Sequence, residues 1–153
     1  MWLNVNMVAN QTVNVIVLDD DYSFGVLHSR AHELWARGTG TQLREVESGF
    51  RYTPTTCFET FPFPEPDEDQ RAEISAAAKR LDELRRNWLN PEGASEAALK
   101  KRTLTNLYNA RSTWLANAHA RLNAAVHAAY GWPADLPDKE VLKNLLALNL
   151  QRV

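Results

Sequence analysis

The sequence has little cysteine. Cys57 is the single one in 153 residues, which excludes an internal disulfide framework and any multi-cysteine zinc or iron–sulfur site. Long hydrophobic runs are also missing. Residues 1–18 carry no charge, but Asn4, Asn6, Asn10, Gln11, Thr12 and Asn14 interrupt them. A spanning helix needs about 20 mostly apolar residues, and a secretory signal needs a positively charged start. Neither is present, so the chain reads as cytoplasmic, with no membrane partner. Charge of one sign is lacking too. There are 17 basic and 19 acidic side chains, net −2, so the chain carries no global nucleic-acid signature. A glycine-rich phosphate loop, a nucleophile elbow and an HExxH motif are absent. Gly38-Thr39-Gly40 follows a helical pattern rather than a strand and reads as a helix terminus. What is there is ordinary globular composition, 44% hydrophobic and 24% charged, in a length suited to one domain or a small domain plus an extension.

The chain divides near residue 66. Residues 1–66 hold four arginines and eight acids, net −4; residues 67–153 hold 13 basic and 11 acidic residues, net +2. Within 79–121 the balance is nine basic to four acidic, net +5. β-Branched and aromatic residues dominate before the boundary; Ala, Leu, Lys, Arg and Glu dominate after it. The expected fold class is α+β, mostly α. A small strand-containing N-terminal part (1–66) precedes a helical hairpin or bundle (67–153).

In the first part, Thr12–Leu18 reads as an interior strand, because apolar residues occupy both alternating sets at Val15–Leu18. Such a strand needs hydrogen-bonding neighbours on both sides. The other strand candidates are few: 1–8, 42–47 (which also reads as an exposed loop) and 55–61. An open edge recruits other chains, so self-association through residues 1–18, or pairing with an upstream partner, is expected. Asp19, Asp20 and Asp21 suit a helix N-terminus. Phe24, Leu27, Ala31, Leu34 and Trp35 follow at helical spacing, up to Gly38-Thr39-Gly40. Arg51–Pro64 reads as extended, with Pro54 at an edge or bend and Pro62, Pro64 and Pro66 enforcing a polyproline-like exit.

The second part reads as helix. Asp67 caps a helix to about Leu89, with Ile74, Ala77, Ala78, Leu81, Leu84 and Trp88 on one face. Asn90-Pro91-Glu92-Gly93 breaks it. A long helix over about 95–130 follows, interrupted at most near Thr103-Leu104-Thr105. Its stripe of Leu104, Leu107, Tyr108, Trp114, Leu115, Ala118, Leu122, Ala125, Val126 and Ala129 suits antiparallel packing on the first helix. Gly131-Trp132-Pro133 stops it, and Asp138 caps a final helix packed nearby.

Several residues could carry chemistry. His28 and His32, four apart on one helix with Glu33 beside them, suit a shared metal or an ordinary structural or surface place, but no third ligand is evident. His119 and His127 read as exposed or at a packing edge. Cys57 reads as a buried small hydrophobe, since the sequence places no activating histidine beside it. Trp35, Trp88 and Trp114 fall on helix stripes and read as core, while Trp132 anchors a turn. Lys100, Lys101 and Arg102, with Arg85 and Arg86, flank the helix break, where they either grip phosphates or form a solvated hairpin tip. Arg44, Arg51, Tyr52, Thr53, Thr55 and Thr56 form a different group. Arginine reads guanine bidentately and threonine contacts bases, thymine methyls or phosphates; the same composition also fits any exposed edge.

Asp19–Trp35 (DDDYSFGVLHSRAHELW) followed by Arg51–Pro64 (RYTPTTCFETFPFP) resembles the end of the target-recognition region of MmeI-like type IIG/IIL DNA methyltransferases and their relatives in phage-defence systems. The stretch after it is similar to that family's helical C-terminal domain, ending in Tyr130–Asn149 (YGWPADLPDKEVLKNLLALN). The resemblance covers about residues 12–150. It implies DNA as partner, S-adenosylmethionine as the full-length enzyme's cofactor, and adenine N6 as the methyl acceptor. It also implies that a complete enzyme carries an F-x-G-x-G loop and a [DNS]-P-P-[YFW] motif for the flipped base. Neither occurs here: Asn90-Pro91-Glu92-Gly93 lacks the second proline and the aromatic. The expectation is a C-terminal fragment for DNA docking and target recognition. It has no catalytic residues, no cofactor and no metal of its own, and an upstream methyltransferase domain or subunit acts as its partner. The alternatives are a helical protein-interaction module with no direct DNA role, and an independent small enzyme, which would need a deep polar pocket.

Overall fold

The structure is a computed structural model and describes residues 14–42 and 49–152. The elements run α1 (Asp21–Leu27), α2 (Arg30–Thr39), β1 (Thr41–Gln42), β2 (Phe50–Arg51), α3 (Pro54–Cys57), α4 (Glu68–Leu89), α5 (Glu96–Leu99), α6 (Leu104–Ala110), α7 (Thr113–Ala129) and α8 (Asp138–Gln151). The fold is therefore mostly helical, with a small strand-containing N-terminal part, as the composition predicts.

Asp20 caps α1, its carboxylate accepting from the Ser23 amide at 2.8 Å. The single helix expected from here to Gly38 is broken at His28-Ser29. Ser29 explains the break: its hydroxyl donates to the Val26 carbonyl at 2.6 Å and accepts from the His32 amide. One side chain thus closes the end of α1 and caps α2. Gly25 lets α1 lie directly on the helices below it. A Cβ there would sit 2.9 Å from both Ala78 Cβ and Ile74 Cγ2, closer than carbon atoms pack.

The expected interior strand at 12–18 is not found. Residues 12 and 13 lie outside the described residues; 14–18 have no strand pairing, and Val17 is 94% exposed. The valines carry an extended preference, but a strand exists only where a neighbour supplies hydrogen bonds. Among the described residues none does. The sheet that forms is one antiparallel pair, with Thr41 opposite Arg51 and Gln42 opposite Phe50. Of the 42–47 stretch, only Gln42 is described, within β1.

Arg51–Pro64 is not extended throughout. Pro54–Cys57 forms one helical turn, with Pro54 at its first position, where the missing amide costs nothing. Beyond it the chain runs as a proline-rich strap across the helices. Tyr22 donates to the Pro64 carbonyl and Tyr130 to the Pro62 carbonyl, each at 2.8 Å. Phe61, Pro62 and Pro64 are buried.

Asp67 and Gln70 form a reciprocal capping box at the start of α4. Helix α7 runs antiparallel to α4: Gln70 reaches the Ala128 carbonyl at one end, and Arg85 donates to the Tyr108 hydroxyl near the other. The long helix expected over 95–130 is cut into α5, α6 and α7. Ser95, Thr103 and Ser112 stand at the three N-cap positions, and Arg111 takes a left-handed conformation at φ 47°. These hydroxyl residues favour caps over helix interiors. The break exposes Leu104 and Tyr108, both expected inside, while Leu107, Leu115, Leu122 and Val126 remain buried.

Helix α8 begins at Asp138 with Pro137 in the cap position, so Asp138 is its first residue rather than its cap. It lies against α2, to which Asp138 is tied by Arg30. One hydrophobic core joins Tyr22, Phe24, Val26 and Trp35 to Ile74, Leu81, Leu122, Val141 and Leu145. It draws on both sides of residue 66. Among the described residues no helix is long and apolar enough to cross a membrane.

Candidate nucleic-acid interface

One face of α2 supports the segment that follows β2. His32 lies 5% exposed with its Nε2 3.0 Å from the Tyr52 hydroxyl. Phe61 meets the same imidazole edge-on, at 4.6 Å between centroids. One turn on, the Trp35 indole N–H donates to Thr60 Oγ1 at 3.3 Å, and the Cys57 thiol points to the Ala36 carbonyl. Burial holds the His32 pKa down to about 4 and pushes the Tyr52 phenol up to about 12. Both rings are therefore neutral at physiological pH, and the phenol and Nε2 share one hydrogen bond whose direction follows the imidazole tautomer. Among the described residues the buried His32 Nδ1 has no partner.

Against this platform the N-terminal group of candidates separates by direction. Arg51 is exposed on β2. Thr53 occupies the N-cap of α3, but its hydroxyl makes no capping bond, and Thr55 is exposed. Tyr52 points inward to His32. Thr56 is turned back on its own helical turn, donating to the Thr53 carbonyl at 3.4 Å beside Cys57 Sγ. Among the described residues Arg51, Thr53 and Thr55 thus have no side-chain partner, whereas Tyr52 and Thr56 hold the segment in place. Arg44 lies outside the described residues. The ring of Phe50 covers the end of α2 at Gly40, where a Cβ would fall 2.3 Å from it. This close approach seats β2 on the helix.

The second group does not join the first. Among the described residues no hydrogen bond, ion pair or ring contact links 51–56 to 100–102. Arg102 donates to the Trp88 carbonyl at 2.6 Å and lies over the Trp88 ring at 4.9 Å, closing the C-terminal end of α4. Lys100 pairs with Glu96 at 2.9 Å. Lys101 is exposed, and its ammonium makes no ion pair with a described residue. Arg85 is 6% exposed beside the buried Asp82, which Arg86 also contacts at 2.8 Å. It is a core residue, not a phosphate contact.

The histidines are engaged separately. His28 closes α1, its Nδ1 donating to the Phe24 carbonyl at 2.9 Å, whereas His32 faces Tyr52 from α2. Burial, reinforced by Arg85, drives the His28 pKa down to about 3. Among the described residues no three metal-ligating side chains come together. His119 and Tyr108 share a hydrogen bond, with Nε2 and the hydroxyl 2.9 Å apart. His127, expected at an edge, is 4% exposed, because the chain after α7 folds back and offers the Pro133 carbonyl to its Nδ1. The residue that sequence reasoning missed is His32 as Tyr52's support. Its only signal was its place on the α2 stripe, one turn before Trp35.

Residues 1–65 match the family model for the MmeI target recognition domain. Over 143 residues the chain is 29% identical to DNA methyltransferase A of Bacillus subtilis (strain 168), covering 92% of this chain and 15% of that protein. A solved structure of the type IIL restriction-modification enzyme MmeI in complex with DNA is similar in fold, with a TM-score of 0.67 and 26% identity. The likeness covers 87% of this chain and 16% of MmeI. The chain thus spans less than one fifth of the length of each relative. In sequence and in fold the chain is thus similar to a small part of these DNA methyltransferases, and its residues 1–65 match the MmeI target recognition domain.

Proposed function

We propose that this chain docks on DNA and takes part in target recognition for a site-specific adenine-N6 methyltransferase whose catalytic domain it does not contain. The carrying observation is that the family match over 1–65 includes a supported row, exposed Arg51 and Thr55 with half-buried Thr53 between them, whose side chains have no hydrogen-bond partner among the described residues. These three residues read bases or phosphates, Tyr52 and Thr56 shape the segment, and Arg44 belongs to the same recognition part. Lys101 adds a phosphate contact from the helical part, while Lys100 and Arg102 act through their own anchors. The boundary near 66 separates the recognition part from the helical domain in role, although they share a core. Methyl transfer requires S-adenosylmethionine, and no residue set here fits it, since both family motifs are missing from the sequence. An upstream methyltransferase domain or subunit inside the cytoplasm supplies that chemistry. The same partner, or a second copy, covers the segment that includes exposed Val15 and Val17.

The test is binding to a pool of random-sequence duplexes, followed by selection and sequencing. Arg51→Ala should lower preference for the selected sequence by about 10- to 100-fold, the range of one bidentate base contact. Binding insensitive to salt, with a protein partner retained, would instead support a helical interaction module.

A further inference from the structure

We propose that His32 is a positioning residue for sequence discrimination, acting through Tyr52 to aim Arg51 and Thr53 outward. This inference rests on the DNA-reading role proposed above. Tyr52 lies between these two residues, so its fixation sets the backbone from which both project. The His32 Nε2–Tyr52 hydroxyl contact is 3.0 Å, and the Asn14 side-chain amide holds the Tyr52 carbonyl at 3.4 Å.

The energetics favour positioning over stability as the reason for the pair. A neutral imidazole buried with Nδ1 unpaired pays an uncompensated desolvation cost, and a neutral hydrogen bond returns little net stability. An apolar pair of similar shape would fill the space between Phe61 and the 50–53 segment without an orphan nitrogen. Apolar packing, however, is non-directional, whereas a hydrogen bond narrows both distance and angle. The Phe61 ring, edge-on to His32, holds the imidazole plane. The Trp35–Thr60 bond and the Cys57–Ala36 contact pin the far side of the same segment. His32 is thus the single described side chain that reaches the Tyr52 hydroxyl.

The experiment uses the full chain and the duplex selected from the random pool. Tyr52→Phe removes the hydroxyl alone. His32→Asn removes the hydrogen-bonding group at the Nε2 position, and His32→Gln retains one there. Expected is a roughly fivefold loss of preference for the selected duplex over random duplex in Tyr52→Phe and in His32→Asn, the size of one net hydrogen bond. The double variant should lose no more than either single one, and His32→Gln should be rescued. Long-range proton–nitrogen correlation of the His32 ring should show one tautomer in the parent chain and an averaged pair in Tyr52→Phe. Three results would overturn the proposal: unchanged preference in both single variants, additive losses in the double variant, or an averaged tautomer in the parent chain. Arg51→Ala separates the two layers. If it abolishes preference while the His32 and Tyr52 variants keep it, DNA reading stands and positioning fails. If Arg51→Ala also keeps it, the DNA-reading role fails and this inference with it.

Discussion

Acid should unfold this protein through its histidines before its carboxylates titrate fully. His28 and His32 are held neutral in the fold, with pKa values driven down to about 3 and about 4, mainly by burial. In the unfolded chain each returns to about 6.5. Between those limits the unfolded state binds more protons than the folded state, so stability falls as pH falls. From pH 6.5 to pH 4.5 each histidine costs about 2 kcal/mol, and the two together about 4 kcal/mol. That is a large part of the 5–15 kcal/mol typical of a whole domain. Asp20, Glu33 and Asp138 have pKa values below their ordinary range, and Arg30 assists Glu33 and Asp138. Depressed carboxylates have the same sign, but their loss comes below pH about 4, later in the titration. Urea unfolding at half-unit pH steps measures the effect. His32→Gln, which cannot titrate, should remove about half of the decline between pH 6.5 and 4.5 whatever its stability at pH 7. A flat stability profile over that range, or an unchanged slope in His32→Gln, would refute the burial argument.

Gly25→Val should destabilise the fold by about 2–3 kcal/mol through overpacking against Ala78 and Ile74, read as a lower urea midpoint with unchanged m-value. Leu122→Ala, which empties a fully buried site between α1, α4 and α7, should cost about 2–5 kcal/mol in thermal unfolding. Arg102→Ala should lower the melting temperature by freeing the end of α4, whereas Lys101→Ala should leave it unchanged and flatten the salt dependence of DNA binding by about 0.9 in log–log slope. Calorimetry with S-adenosylmethionine should show no saturable binding at micromolar concentration, and such binding would overturn the assignment of catalysis to another domain or subunit.

Local interactions account for what could be read directly. The Asp20 and Asp67 caps, the stop at Gly131-Trp132-Pro133 and the apolar face of α4 each depend on residues within one or two turns, so spacing alone placed them. The family motifs in Asp19–Trp35 and Arg51–Pro64 were legible for the same reason, as runs of contiguous side chains. The cuts in the long helix were legible only in part. Ser95, Thr103 and Ser112 signal caps, but a serine in a helical pattern is a cap only if tertiary packing turns the chain there.

The strand expected at 12–18 marks the limit of local reasoning, because β structure is completed by a neighbour distant in sequence. Side-chain direction at the candidate interface has the same origin. By composition, Arg51, Tyr52, Thr53, Thr55 and Thr56 form one polar group; contacts from α2, twenty or more residues earlier, turn Tyr52 and Cys57 inward and leave Arg51 and Thr55 exposed and Thr53 half-buried. Likewise, charge alone cannot separate Lys101 from Arg102, and the Trp88 carbonyl and ring decide between them. Short-range spacing was enough for the mostly helical class, the caps at Asp20 and Asp67, the proline-rich exit and the resemblance to MmeI-like enzymes. Which polar groups are engaged within the fold depended on long-range packing, because a hydrogen bond satisfied inside is set by partners that the chain brings together from far apart.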